Sequence, residues 1–352
     1  MIKLDYRDEL ARYGLPGRLR AELEDLFRRH NHESAKKRFT QKPVSYKTAY
    51  RRFVNLCACF RDLHEIGYRL QSVYNLREEH VRALVRAWEA RGDAVGTIDN
   101  KLSYLRTLAA WAGKRGMVKE SRAYASDPEA FRRTSYAKED KSWEAKGVDP
   151  LDVIERVSRL DRVVAMQLEL QWALGLRVEE SFLLRPVQAL KQALERERVR
   201  VEHGTKGGRP REVSLDEVVQ VEVLSRAADL AVSASGTMIP RKYTLEGWRN
   251  RYYYVVRRSG ISREEGLKVT SHGLRHQYLQ RMFERITGRP APVKGGGGYD
   301  PGLLELAMRE VVERAGHSDP YKAGAYLGPL VEGLKRGRGD DRGLQAEIES
   351  RA

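Results

Sequence analysis

Arg198-Val-Arg-Val-Glu202, followed by Gly204-Thr-Lys-Gly-Gly-Arg-Pro210 and then Arg211-Glu-Val-Ser-Leu215, is the stretch that decides the architecture. On both sides of the glycine-rich turn, apolar and polar residues alternate with the two-residue period of a half-buried strand, so the stretch reads as a β-hairpin. Almost everything around it repeats its apolar residues at helical spacing instead. The fold class expected is mainly α with a small antiparallel β-sheet (α+β).

Working outward, the region before the hairpin reads as helices. One covers Arg18 to Arg29. Ser45 follows Pro43 and caps a second, with Tyr46, Tyr50, Phe53, Cys57 and Phe60 inward and Gly67 as its stop. Arg77 to Arg91 carries Val81, Leu84, Val85 and Trp88 and stops at Gly92; Thr97 caps a fourth with Ile98, Leu102, Leu105, Leu108 and Trp111 inward. Four helices with one apolar stripe each bury those stripes as a small bundle. Between Met117 and Gly147 the periodicity fades and polar residues dominate, which reads in part as a linker. Asp149-Pro150 opens a second domain, and helices run on to about Leu334, broken by a glycine stretch, Gly295 to Gly298, expected to be mobile. The expected division is 1–125 for a helical N-terminal domain, 126–148 for a linker, 149–334 for the second domain and 335–352 for a charged tail.

The chain has 352 residues, enough for about two domains, and 41% of them are hydrophobic, enough for two cores. Val163 to Leu176, the most apolar run, is interrupted by Gln167, Glu169 and Gln171, which excludes a membrane span, and the acids in MIKLDYRDEL argue against a secretion signal. Cys57 and Cys59 are the only cysteines, too few for a zinc site or a disulfide framework. A cytoplasmic protein is expected.

Charge narrows the class. The net charge is +16, carried by 47 Arg and 18 Lys, a balance suited to a polyanion because the guanidinium fork grips phosphate with two hydrogen bonds. Two segments concentrate it. Ser34 to Arg52 holds Lys36, Lys37, Arg38, Lys42, Lys47, Arg51 and Arg52, no acid, and interleaved aromatics; Pro240 to Arg258 holds Arg241, Lys242, Arg249, Arg251, Arg257 and Arg258 against the single acid Glu246. Either alone reads equally well as a solvated helix face; one in each half fits a clamp that grips double-stranded DNA by its phosphates.

Most catalytic patterns are missing: no P-loop, no HExxH, no nucleophile elbow, no paired CxxC. What remains is a set of cations and one tyrosine. Arg177 follows a glycine break in Ala-Leu-Gly-Leu-Arg-Val-Glu-Glu; Lys206 tops the hairpin turn; His272, Arg275 and His276 lie in Ser-His-Gly-Leu-Arg-His; His317 follows Ala315-Gly316; Tyr326 comes nine residues later. Taken singly, each has an ordinary structural reading as a cap, a helix start or core packing.

In this order they resemble the tyrosine recombinases, the phage-integrase family, with the ordered pattern Arg, Lys, His-x-x-Arg, His, Tyr. Gly175-Leu-Arg-Val-Glu-Glu180 is similar to that family's first arginine box, Thr205 to Arg211 to its lysine turn, His272-Gly-Leu-Arg-His276 to its second box and Ala315-Gly-His-Ser-Asp319 to its third. The second half is especially similar to integrases of integrative and conjugative elements. The resemblance implies a helical core-binding domain followed by a catalytic domain. It also implies cleavage of DNA by Tyr326 to give a 3′-phosphotyrosyl link and a free 5′-hydroxyl, without metal or ATP. Arg177, Arg275 and His317 would bind the phosphate oxygens, Lys206 would protonate the departing 5′-oxygen and His272 would assist as acid or base. Glu180 would orient Arg177, and His276 would buttress the phosphate-binding arginine. The family further implies a tetramer on DNA, accessory DNA-bending proteins as possible partners, and work at the bacterial nucleoid. Tyr321 is a rival nucleophile, disfavoured by its short spacing from His317. The competing functions are an accessory DNA-binding protein on an inactive scaffold and a type IB topoisomerase. The stretch from Arg275 to His317 is longer than is usual in the family.

Overall fold

Apolar stripes at helical spacing can be buried only against one another, and they gather into two cores. The computed structural model describes residues 5–33, 43–132, 136–231, 235–317 and 319–329, with the backbone alone at Pro320 and Tyr321. The chain divides into two compact units, Met1–Arg133 and Thr134–Ala352.

The first unit is helical: α1 (Tyr6–Ala11), α2 (Gly17–His30), α3 (Tyr46–Glu65), α4 (Glu78–Ala90) and α5 (Val95–Trp111). Short α1 had no periodic signal; Asp5 makes it by accepting the backbone N–H groups of Arg7 and Asp8. The Ser45 hydroxyl accepts the Thr48 N–H at 3.2 Å and starts α3. α5 starts two residues before Thr97, with Ala94 O accepting the Thr97 and Ile98 N–H groups, so Thr97 lies in the first turn and does not cap. Leu23, Phe27, Phe53, Leu56, Leu84, Trp88, Leu102 and Leu105 fill the core. Tyr46 and Tyr50, expected inward, are exposed and stack on each other, because the buried face of α3 begins at Ala49. Cys57 and Cys59 are buried free thiols, and burial pushes Cys59 up to about 12, so both are inert packing residues.

The second unit runs α6 (Pro150–Ser158), α7 (Arg162–Leu174), α8 (Val178–Leu183), α9 (Pro186–Arg196), β1 (Arg198–Val201), β2 (Arg211–Ser214), α10 (Val218–Leu230), α11 (Leu245–Arg258), α12 (Ser271–Thr287), α13 (Pro301–Arg314) and α14 (Gly324–Leu327). The fold is mainly α with, among the described residues, one two-stranded antiparallel sheet, registered Val199 to Val213 and Val201 to Arg211. The three valines are buried, while Arg198 and Arg200 point out. Helix α7 is apolar nearly all round because it is the buried axis of the unit. Of its two buried glutamines, Gln167 accepts from Trp248 Nε1 and donates to Met238 O, and Gln171 donates to Ser181 Oγ and Tyr252 Oη while its Oε1 has no partner among the described residues. Among the described residues no helix is long and apolar enough to cross a membrane.

Two stretches differ from expectation. The segment expected as a linker packs at both ends: Phe131 joins the first core, and Trp143, fully buried, joins the second and donates Nε1–H to Thr270 O at 2.8 Å. Its polar composition hides these aromatic anchors. The glycine stretch is folded down, with Tyr299 Oη donating to Pro290 O at 2.6 Å and Ala291 buried beneath.

Candidate active site

Helix α7 ends at Gly175, which is left-handed (φ 60°) and so close to Tyr278 that a Cβ would lie 2.3 Å from its ring. This turn makes Arg177 the N-cap residue of α8 and sets Glu180 one turn in. Glu180 Oε2 accepts the Arg177 N–H at 2.7 Å, and its Oε1 accepts Arg177 Nη1 at 2.6 Å. Arg275, fully buried on α12, donates Nη2–H to Ala315 O at 2.7 Å, and Arg177 Nη2 donates to the same carbonyl at 2.7 Å. Arg275 Nη1 also donates to Gly175 O. The two arginines from different boxes are thus clamped side by side, two residues ahead of His317.

A third arginine, Arg211 on β2, completes the cluster. It is buried and donates to Glu180 Oε2 at 2.7 Å and to Arg314 O. Sequence reasoning gave it no role; the only signal was a charged residue on the strand's inward-facing register, in line with Val199 and Val213. Burial alone would raise the Glu180 pKa, yet Arg211, Arg275 and Arg177 hold it down at about 2. Burial, with Arg211 next, lowers Arg275 to about 10, which leaves it charged at neutral pH.

Tyr326 reaches into this cluster from α14. Its hydroxyl lies 3.4 Å from Arg275 Nε and 3.4 Å from His317 Nε2, and the residue is only 5% exposed. Burial and the neighbouring arginines Arg177 and Arg275 lower His317 to about 4; the crowding of protein around its ring and Arg275 lower His272 likewise to about 4, although the residue is exposed. Both imidazoles are neutral at pH 7. His276 is lowered to about 3, chiefly by burial and then by His272. It makes no hydrogen bond to Arg275; its ring packs 5.0 Å from Tyr326 and 5.1 Å from His272. Lys206 is exposed on the turn between the strands, and its charge reaches His317. Beside His317 opens a cavity of about 480 Å³ lined by Arg200, Arg209, Arg211 and Arg309 among others.

The nominated DNA contacts fare unequally. Lys36, Lys37, Arg38 and Lys42 lie outside the described residues, as do the charged tail and the Tyr321 side chain. Lys47 and Arg51 are exposed on α3. Arg52 is a correction: it is buried, donates to the carbonyls of Asn31 and Glu33, and lies 5.3 Å over the Trp111 ring. Two residues in a row on a helix point about 100° apart, which sends Arg51 to solvent and Arg52 into the bundle. Arg241 and Lys242 are exposed, Arg249 pairs with Glu179 at 2.9 Å, and Arg251 pairs with Asp161 at 3.0 Å.

Two family profiles match the chain: Integrase over residues 135–281, and Phage integrase, N-terminal over residues 33–118. Among solved structures, the chain is similar to the Tn1549 transposon integrase in complex with transposon right end DNA, at 12% identity over 92% of this chain and 99% of that one, with a TM-score of 0.56. It is also similar to a lambda integrase tetramer bound to a Holliday junction, at 13% identity over 88% of this chain and 79% of that one, TM-score 0.54. A lambda integrase (75–356) dimer bound to a COC′ core site matches at 12% identity over 88% and 97% of the two chains, TM-score 0.53. No curated protein matches by sequence.

Proposed function

Because the chain belongs to the tyrosine recombinases, the phage-integrase family, we propose that it cuts and rejoins DNA at specific sites through a 3′-phosphotyrosyl intermediate, without metal or ATP. One observation carries the reading: a tyrosine hydroxyl 3.4 Å from both a buried arginine and a neutral histidine, in a cluster whose cations outnumber its single carboxylate. Arg177 and Arg275 fork the non-bridging oxygens of the scissile phosphate, and His317 donates to the same oxygens, so the charge of the pentavalent transition state meets fixed donors. Tyr326 Oη forms the bond to phosphorus as the bond to the 5′-oxygen breaks. Neutral His272 takes the phenol proton, and Lys206, on its exposed turn, gives one to the departing oxygen. The ester keeps the bond energy, so a 5′-hydroxyl can attack it in reverse and rejoin the strand.

In this proposal 1–125 is the core-binding part and 149–334 the catalytic part. Lys47, Arg51, Arg241 and Lys242 grip backbone phosphates of duplex DNA, as do Arg249 and Arg251 once they leave Glu179 and Asp161. Strand exchange needs two sites held together, which a tetramer, with DNA-bending partners where sites are distant, would provide at the nucleoid. The test is covalent trapping on nicked suicide DNA carrying the element's ends, with EDTA present. Wild type and Tyr321→Phe should give a DNA-linked band on denaturing gels, and Tyr326→Phe none. Tight DNA binding with no adduct from wild type would favour an accessory DNA-binding protein.

A further inference from the structure

Helix α14 is a single turn of four residues and cannot hold its own shape. The backbone that carries Tyr326 therefore has to be held from outside, and three interactions do so. Ala137 N–H donates to Gly324 O at 2.8 Å. Gly328, left-handed with φ 92°, lies so close to Val293 that a Cβ would come within 2.9 Å of it. Gln280, fully buried on α12, donates its Nε2–H to the carbonyl of Tyr326 itself at 3.1 Å.

The other Nε2 hydrogen of Gln280 goes to Asp140 Oδ1 at 3.0 Å. Both partners are acceptors, so the amide cannot be turned round without losing both bonds. Its Oε1 is buried with no partner among the described residues, a cost tolerated where the other end of the group is needed. Asp140 is itself fixed, since the same oxygen accepts the Ser142 N–H at 2.8 Å. It belongs to a strap, residues 136–143, by which the chain comes into the second unit. Trp143 pins the strap to the start of α12 through Thr270 O, and a Cβ on Gly273 would come within 2.5 Å of Lys141 O. One rigid helix thus carries Arg275, which meets the tyrosine hydroxyl, and Gln280, which grips the carbonyl of the same residue.

We propose that Gln280, anchored on Asp140, is a positioning residue that holds Tyr326 in line with the arginine cluster, so that the strap leading into the unit sets the aim of the nucleophile. The inference rests on Tyr326 being that nucleophile. Gln280 touches neither DNA nor the phosphate, so its loss lowers the cleavage rate while leaving DNA affinity intact.

Single-turnover trapping on suicide DNA at saturating enzyme tests this with Gln280→Leu, Asp140→Ala and Asp140→Asn. A misplaced nucleophile costs up to about a hundredfold. Gln280→Leu and Asp140→Ala should therefore slow cleavage by roughly ten- to a hundredfold with unchanged DNA affinity, and Asp140→Asn, which keeps the accepting oxygen, should retain the wild-type rate. A DNA with sulfur in the 5′-bridging position separates nucleophile from leaving group, because a thiolate departs without needing a proton. That substrate should rescue Lys206→Ala and fail to rescue Gln280→Leu. Wild-type rates in Gln280→Leu, its rescue by sulfur, or equal loss in the two Asp140 variants would each overturn the proposal. Should Gln280→Leu not fold, half-buried Asp140 still decides through its two variants. A missing wild-type adduct would instead fault the assignment of Tyr326, and the inference with it.

Discussion

Each unit builds a charged network round one buried carboxylate, Asp62 in the first and Glu180 in the second, and the two are built to opposite balances. In the first, Asp62 accepts Trp88 Nε1–H at 2.7 Å, Asp93 pairs with Lys101 at 2.7 Å and Arg91 at 2.9 Å, and Arg61 lies between Asp62 and Glu65. Three carboxylates face three cations. In the second, Glu180 alone faces Arg177, Arg211 and Arg275, all within 3.7 Å. A balanced network can only hold helices together; a network short of anions is completed by one from outside. That difference separates architecture from site better than burial does, since both networks have a buried carboxylate at their centre.

The comparison breaks most readily at the carboxylates. Glu180→Gln should destabilise by about 3–5 kcal/mol in denaturant melts, the cost of stranding buried charge, and Asp62→Asn by less, because Arg61 and Arg91 are half exposed and Lys101 keeps Asp93. Duplex DNA should then raise the melting temperature of Glu180→Gln more than that of wild type, and that of Asp62→Asn no more than wild type. Equal DNA responses would mean that the cation excess is not the phosphate site. Next, Arg177→Ala should lower the single-turnover cleavage rate by about 10²- to 10³-fold, whereas Lys101→Ala should lower stability and leave the rate of folded enzyme unchanged.

Acid gives a smaller effect. His272, His276 and His317 have folded pKa values depressed to about 4, 3 and 4, below the ordinary value of 6.5. The unfolded chain therefore binds protons first as pH falls, and stability present above pH 6.5 is lost progressively towards pH 4. A His272→Gln, His276→Gln double variant should show a flatter loss between pH 7 and pH 4.5; an unchanged slope would place the acid sensitivity elsewhere. The smallest effect concerns the two basic segments. Lys242→Ala should reduce the slope of log affinity against log salt by roughly one, and Arg52→Ala should leave the slope alone while lowering the melting temperature.

Much of this was legible beforehand, for identifiable reasons. Val81, Leu84, Val85 and Trp88 repeat at helical spacing because one face of α4 is buried, and the hairpin alternates because one face of each strand is. The ordered boxes were legible because each sits at a helix start or a turn, where local sequence sets the backbone. What was not legible depends on direction. Arg51 and Arg52 are the same residue type side by side, and only packing against Trp111 and the carbonyls of Asn31 and Glu33 tells them apart. Trp143 stood in a polar stretch, and Gln280 had no pattern at all.

By itself, then, the sequence determined the helical class, the single hairpin and the set of residues around Tyr326, since periodicity, turn chemistry and motif order are local properties of a chain. Only the tertiary structure decided that Ala315 O clamps Arg177 to Arg275, that Arg211 shares Glu180, and that Gln280 grips the tyrosine backbone. Those interactions join residues 31 to 138 positions apart. A hydrogen bond between such groups exists only once the core of the second unit has packed and fixed the direction of each donor.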